Sequence, residues 1–211
     1  MLSFDPFDSF AHIGKAFAKW GAIYAAHAEL GKFQAQINSA LASKRTIVAE
    51  RRDDLSYRAN RIDLSKARFL RVLEIRLHPG HEREFAEAFK GLTAAYEKTE
   101  SDLPWVVYQL NVVMPSPTFF AFVPMRTLAQ NDDLRNLRDL LPEAKGEAAE
   151  RMQQIARAVY ANTESNLYAI SPEKSHVSKE FAAGDPEFWT PQPPAPMRVA
   201  AKKSGKNKPT Q

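Results

Sequence analysis

The order of apolar patterns between residues 67 and 171 is the feature that most constrains the fold of this chain. Apolar residues alternate along 69–77, and the opposite face of this predicted strand also carries Leu70 and Val72. A helix over 82–99 follows, with a single apolar stripe formed by Phe85, Phe89, Leu92 and Tyr96. This spacing predicts a strand followed by a helix, with Phe89 buried against the sheet.

A predicted hairpin and a second helix complete the pattern. Residues 105–114 (WVVYQLNVVM) and 119–123 (FFAFV) are rich in β-branched and aromatic side chains, and the Pro-rich turn PSPT lies between them. A helix is predicted over 144–161 and a last strand over 166–170. The order β-α-β-β-α-β predicts an α+β fold of the ferredoxin-like type, a four-stranded antiparallel sheet with both helices on one face.

The other face of this predicted sheet is too apolar to face water. It carries Leu70, Val72 and one side of 105–114. A second sheet packed on it, from an internal repeat or from a second copy of the chain, would remove that surface from water. We therefore expect self-association through the sheet face.

The first 60 residues show signs of a partial repeat of the same unit. Four matches occur in the same order: 3–10 with 121–128, the spacing of Leu30, Phe33 and Ile37 with that of Met152, Ile155 and Val159, 46–49 with 166–169, and 54–57 with 174–177. They predict that 1–60 is a partial, mostly helical first ferredoxin-like repeat with a strand at 2–7, and that 61–189 is a complete repeat with a C-terminal extension. The first half of the first repeat would then lie upstream of Met1 or come from a partner chain. A helical hairpin beside one complete domain is the alternative.

The basic charge of the chain belongs to its C-terminal end. Residues 190–211 contain five Lys and Arg residues and no Asp or Glu, and removing these five charges from the net charge of +4 leaves −1 for the rest. This segment is rich in Pro, Lys and small residues, so a disordered basic tail is predicted, solubilising or weakly polyanion-binding. Trp189, which directly precedes this tail, is predicted to anchor the C-terminal extension to the rest of the protein. The nearly neutral body carries no aromatic-basic run typical of RNA-binding sheets, which argues against nucleic acid as a partner.

Several stretches resemble a known group of proteins. They are 68–79 (RFLRVLEIRLHP), 105–124, 163–168 (TESNLY) and 178–190 (SKEFAAGDPEFWT). They resemble uncharacterised bacterial tandem ferredoxin-like, dimeric α/β-barrel proteins of the NIPSNAP and antibiotic-biosynthesis monooxygenase-like superfamily. The resemblance covers roughly 4–190 and implies a fold but no catalytic motif. Longer relatives carry a complete first unit, often behind a signal peptide. The sequence as written therefore predicts a cytoplasmic protein, and an exported one if such a segment precedes Met1.

The sequence lacks the motifs of the common enzyme classes. It contains no Cys and no GxGxxG, P-loop, HExxH or GxSxG motif, and no apolar run long enough to span a membrane. His78 and His81 flank a turn without an evident third ligand, so no metal site is predicted. No cofactor is predicted either.

The polar residues on the apolar side of the sheet are the candidate ligand site. Glu74 and Arg76 share a face with Leu70 and Val72, and three residues of the next strand are predicted to join them: Trp105, Gln109 and Asn111. A buried Glu74 could act as a base, although Arg76 would oppose the necessary rise in its pKa. A salt-bridged strand end near solvent is the alternative. The predicted function is small-molecule or partner binding, and the alternative is a cofactor-independent oxygenase or isomerase that uses the barrel cavity. The sequence leaves open whether the protein is an enzyme.

Overall fold

The predicted strands assemble into one antiparallel sheet in a computed structural model that describes residues 4–98, 101–112, 117–132, 154 and 156–190. The sheet has the order β1-β3-β4-β2-β5, with β1 Val48–Tyr57, β2 Phe69–Leu77, β3 Trp105–Val112, β4 Thr118–Met125 and β5 Tyr160–Ala169. Helix α3 spans Glu82–Lys98, and two short helices, α4 (Lys179–Ala182) and α5 (Pro186–Trp189), follow β5. Short 3-10 turns lie at Ala59–Arg61, Leu64–Lys66 and Pro172–Lys174.

The order of strands β2 to β5 is that of a ferredoxin-like sheet, so the predicted α+β fold is confirmed. Two details differ from the prediction. β1 adds a fifth strand, paired antiparallel with β3. β5 begins at Tyr160 rather than at residue 166, because the polar segment 160–165 pairs with β2 all the way to Leu77. Most of the helix predicted over 144–161 lies outside the described residues.

The chain forms two compact units, residues 1–46 and 47–211. The first unit is a helical hairpin of α1 (Phe10–Ala26) and α2 (Ala28–Ala40). Ser9 caps α1 by accepting a hydrogen bond from the His12 backbone N–H at 3.1 Å. Tyr24 of α1 donates a hydrogen bond to Gln34 of α2. Residues 4–9 contain no strand, so the strand predicted at 2–7 is absent from the described part of that segment.

Helix α3 covers one face of the sheet and builds the main core. Phe85 is fully buried, and its ring centroid lies 4.5 Å from that of Phe119 on β4. Phe89, which the sequence placed at the centre of the helix stripe, is only partly buried. The most deeply buried residues of the stripe are Phe85 and Tyr96, which lie before and after Phe89 on the helix.

The opposite face of the sheet carries a second apolar cluster. Its members are Leu70, Val72, Leu110 and Phe120, packed with Ile47, Ala49, Phe122 and Tyr168. Apart from Ile47, which immediately precedes β1, these residues all lie in strands. The first four are each 4–9% exposed, and Phe122 and Tyr168 at the margin are partly exposed. We call this surface, on the side of the sheet opposite α3, the open face.

The C-terminal helices pack at the end of the sheet where β2 begins. The Trp189 indole N–H donates a hydrogen bond to the Ser65 carbonyl at 2.7 Å, as expected for a residue that anchors the extension. Arg68 forms an ion pair with Asp185, and its guanidinium lies 3.7 Å from the ring centroid of Phe188. The predicted basic tail lies outside the described residues apart from Thr190.

Candidate functional site

Two of the five predicted site residues, Glu74 and Arg76, lie on the open face. Glu74 stands directly opposite Phe120 on one neighbouring strand and Glu164 on the other. Arg76 lies two residues further along the same face, and both side chains are partly exposed. The open face thus combines an apolar centre with two opposed carboxylates and a cation at one end.

Trp105 and Gln109 lie on the helix-covered face and do not join Glu74. Trp105 is 3% exposed, and its indole N–H donates to the Leu55 carbonyl at 2.9 Å. The side-chain oxygen of Gln109 accepts a hydrogen bond from Arg52. Trp105 therefore belongs to the core.

The alternation of β3 explains this separation. Val106, Tyr108 and Leu110 occupy the open face, since Val106 and Tyr108 pair with Phe122 and Phe120 of β4. Asn111 lies in β3, but its side chain is outside the described residues. The structure thus brings together only part of the predicted set.

A cleft of about 350 Å³ lies at the end of the sheet where β2 starts and β4 ends. Its apolar lining comes from Ile62, Ala67, Pro104, Pro124 and Met125. Its polar lining comes from Arg58, Arg61, Asp63, Asp102, Arg126 and Gln130. The volume and the mixed lining suit a small organic ligand. None of the five predicted site residues lines this cleft.

Arg58 forms one edge of the cleft in an unusual backbone conformation. Its φ of 46° makes it the one non-glycine residue with positive φ among those that the structure describes. Its guanidinium donates to the Ser101 carbonyl at 2.8 Å and to the Asp102 carboxylate at 3.2 Å. The Tyr57 hydroxyl donates to the same Ser101 carbonyl, and burial raises the pKa of Tyr57. These contacts hold the segment that enters β3 against the end of β1.

The acidic residues of the cleft are already engaged. Asp63 accepts hydrogen bonds from the backbone N–H and the hydroxyl of Ser65, and it pairs with Lys66 at 3.3 Å. The Ser65 hydroxyl and Lys66 together hold the pKa of Asp63 below its usual range. Asp102 pairs with Arg58. The carboxylates therefore organise the walls of the cleft.

A smaller cleft of about 180 Å³ adjoins the first. It is lined by Lys66, Arg68, Arg126 and Asp185, so Arg126 lines both clefts. This region was not predicted as a site, because the net positive charge of the chain comes from residues 190–211. A local cluster of positive charge could have indicated it, since residues 58–68 (RANRIDLSKAR) contain four Arg and Lys residues.

The part of the chain that the structure describes contains no group of three or more His, Cys, Asp or Glu residues placed to hold a metal ion. In the same residues, no helix is both long and apolar enough to cross a membrane.

Comparisons with known proteins found similar solved structures. No family model matches the chain, and no curated protein does. Solved structures that are similar include the PA3566 protein from Pseudomonas aeruginosa, at 16% identity and a TM-score of 0.35, with 49% of this chain and 94% of that one covered. They also include an uncharacterised NIPSNAP-like domain protein from Burkholderia xenovorans, at 16% identity and a TM-score of 0.36, covering 50% of this chain and 86% of that one. An anthrone oxidase-like protein matches at 17% identity and a TM-score of 0.35, covering 51% of this chain and 46% of that one. A NIPSNAP-like protein is thus among the matches, in line with the resemblance found in the sequence.

Proposed function

We propose that this protein is a binding protein whose partner at the open face is a second copy of its own chain. The observation that carries the proposal is the second apolar cluster, which is centred on Leu70, Val72, Leu110 and Phe120 and built from strand residues and Ile47. Phe122 and Tyr168 are partly exposed at its margin. The four central side chains are already buried within the chain, so the apolar surface that a second sheet would remove from water is this margin.

Charge on the open face favours a second copy as the occupant. An interface with two-fold symmetry uses the same surface on both chains, so that surface must complement itself. The open face carries the carboxylates of Glu74 and Glu164 and, two residues from Glu74, the guanidinium of Arg76. Directly opposed carboxylates repel each other, and an arginine from a second copy would offset that repulsion. Glu74 and Arg76 are therefore proposed as polar contacts of this interface.

The partial repeat belongs to the same proposal. If 1–60 derives from a ferredoxin-like unit, the chain retains one complete sheet and needs a second one for its open face. The length of β1 supports an origin in a sheet-forming segment, since 48–57 pairs with β3 along most of its residues. The assembly proposed is therefore a pair of sheets from two chains.

The test is the association state of a charged variant at the margin of the open face. Phe122→Glu places a carboxylate beside Tyr108 and Phe120, whose rings lie 5.7 and 6.0 Å from that of Phe122. We expect light scattering after size exclusion to show a dimer for the original chain and a monomer for Phe122→Glu. Leu167→Glu is the matched control, because Leu167 is 49% exposed and pairs with Arg71 on the other face of β2. Circular dichroism would establish that both variants fold. A monomeric original chain at all concentrations, or equal dissociation of both variants, would refute the proposal.

A further inference from the structure

We propose that the cleft at the end of the sheet, lined by Arg58, Arg61, Arg126 and Gln130, binds a small organic anion that carries a carboxylate or phosphate on an apolar body. This site lies outside the open face, because no residue of the second apolar cluster lines it. The inference stands independently of the self-association proposed above.

The balance of charge around the two adjoining clefts is the first support. Five cations line them, namely Arg58, Arg61, Lys66, Arg68 and Arg126, against the three carboxylates of Asp63, Asp102 and Asp185. Each carboxylate forms an ion pair with one of these cations.

Two cations are left over by this pairing. Among the described residues, the guanidinium groups of Arg61 and Arg126 have neither an ion pair nor a hydrogen bond, and both residues are exposed. Uncompensated arginines at a concave site attract oxyanions and hold them through charge-assisted hydrogen bonds. A bound anion would restore the charge balance of the cleft.

Gln130 adds a neutral donor to the same cleft. Its side-chain oxygen accepts hydrogen bonds from the backbone N–H groups of Arg126 and Thr127, at 2.6 and 3.3 Å. This pairing assigns the oxygen to the backbone and leaves the amide nitrogen as the group that can donate to a ligand. The guanidinium groups of Arg61 and Arg126 and the amide nitrogen of Gln130 can thus all donate hydrogen bonds to a negatively charged acceptor.

The remaining lining sets the nature of the ligand body. Ala67 and Met125 are buried, and Pro104, Pro124 and Ile62 complete an apolar surface. A cleft of about 350 Å³ is at the small end of the range for small-molecule sites. An anion with a single ring or a short hydrocarbon body matches this combination better than a bare inorganic ion.

The backbone at Arg58 indicates that the edge of the cleft is built to keep one geometry. A left-handed conformation costs a residue other than glycine free energy, and it persists only where the surrounding contacts over-determine it. At Arg58 those contacts are the hydrogen bond to the Ser101 carbonyl, the ion pair with Asp102 and the approach to the Tyr57 ring. The conformation places a fixed cation beside the two unpaired arginines.

The experiment measures binding of four probes to the full chain by NMR or calorimetry. Phenyl phosphate and benzoate carry both a charge and a ring, inorganic phosphate carries charge alone, and benzyl alcohol carries a ring alone. We expect the two aromatic anions to bind best, and their relative affinities to distinguish a phosphate from a carboxylate site. Added salt should weaken both.

Arginine variants locate the site. We expect Arg61→Gln and Arg126→Gln each to weaken binding of the preferred aromatic anion roughly tenfold. Arg83→Gln is the matched control, because it removes the same charge from an exposed position on α3. Neither cleft variant should lower the melting temperature, since neither side chain has a described partner. Ile62→Trp, which would fill the cleft from a partly exposed position, should also block binding.

Three results would overturn the inference. Failure of all four probes to bind would show that the cleft is not a ligand site. Equal affinity for benzyl alcohol and benzoate would show that charge plays no part. Equal weakening by Arg83→Gln and the two cleft variants would show only a general electrostatic attraction to the protein surface.

Discussion

Gly184, between α4 and α5, is the position where a single methyl group should disturb the docking of the C-terminal helices. A Cβ added at Gly184 would lie 2.1 Å from the Ser65 hydroxyl oxygen and 2.8 Å from the Ser65 Cβ. Neither atom can move away easily, because Ser65 is 5% exposed and its hydroxyl donates to Asp63. The helices would have to shift, which would strain the hydrogen bond from Trp189 to the Ser65 carbonyl.

The expected cost of Gly184→Ala is about 1–3 kcal/mol, the range for inserting a carbon into a packed site. In a Ser65→Gly background both conflicting atoms are gone, and the nearest remaining atom is the Phe181 carbonyl oxygen at 3.3 Å. There the same substitution should cost less than about 0.5 kcal/mol. The difference between the two costs is the coupling energy of the pair.

Urea unfolding followed by circular dichroism measures the global cost, and tryptophan fluorescence detects local undocking of Trp189. Gly91→Ala is the control, because Gly91 lies in α3 with no atom within 4 Å of the added carbon. There alanine should stabilise the protein by up to about 1 kcal/mol. An equal loss for Gly184→Ala in both backgrounds would refute the argument, since Ser65 could then not be the cause.

Two further predictions concern the core and the response to acid. Phe85→Ala should lower the free energy of unfolding by about 3–5 kcal/mol and Phe89→Ala by clearly less, because only Phe85 is fully buried. Urea denaturation of both variants checks this order. The hydrogen bond from Arg68 holds the pKa of Asp185 below its ordinary value. The resulting stabilisation is present above the ordinary carboxyl pKa of about 4 and is lost as the pH falls through the lower folded value. As the pH is lowered below about 4, the melting temperature of Asp185→Asn should therefore fall less steeply than that of the original chain.

The central fold could be predicted because its strands and helix carry clear periodic signals. β2, α3, β3 and β4 lie close to their predicted bounds. β1 could not be found in this way, since the middle of its sequence VAERRDDLSY is a run of charged residues, which are uncommon in strands. It lies at the edge of the sheet, where charged side chains can reach water and discourage further strand pairing. Its charges pair along the strand at a spacing of two, Arg51 with Asp53 and Arg52 with Asp54.

The candidate site was harder to predict than the fold for two physical reasons. The faces of β3 were correctly separated by alternation, but both are apolar in part, so the pattern could not tell which of them a helix covers. Trp105 was therefore placed with Glu74, whereas its partners are Leu55 and Tyr57. The basic cleft depends on the approach of segments 58–67, 102–104 and 124–130, which no local pattern reveals.

β1 links the edge of the sheet to this cleft through a change of face within the strand. Arg51 stands opposite Tyr108 on the open face, so regular alternation would put Tyr57 on that face too. The register shifts between Arg52 and Tyr57, and a shift of this kind is what a β-bulge produces. As a result Tyr57 lies opposite Trp105 in the helix-covered core, 2% exposed. Because Tyr57 lies in this core, the next residue, Arg58, lies at the rim of the cleft. The charged first part of β1 thus protects the edge of the sheet, and its bulged second part positions the cation.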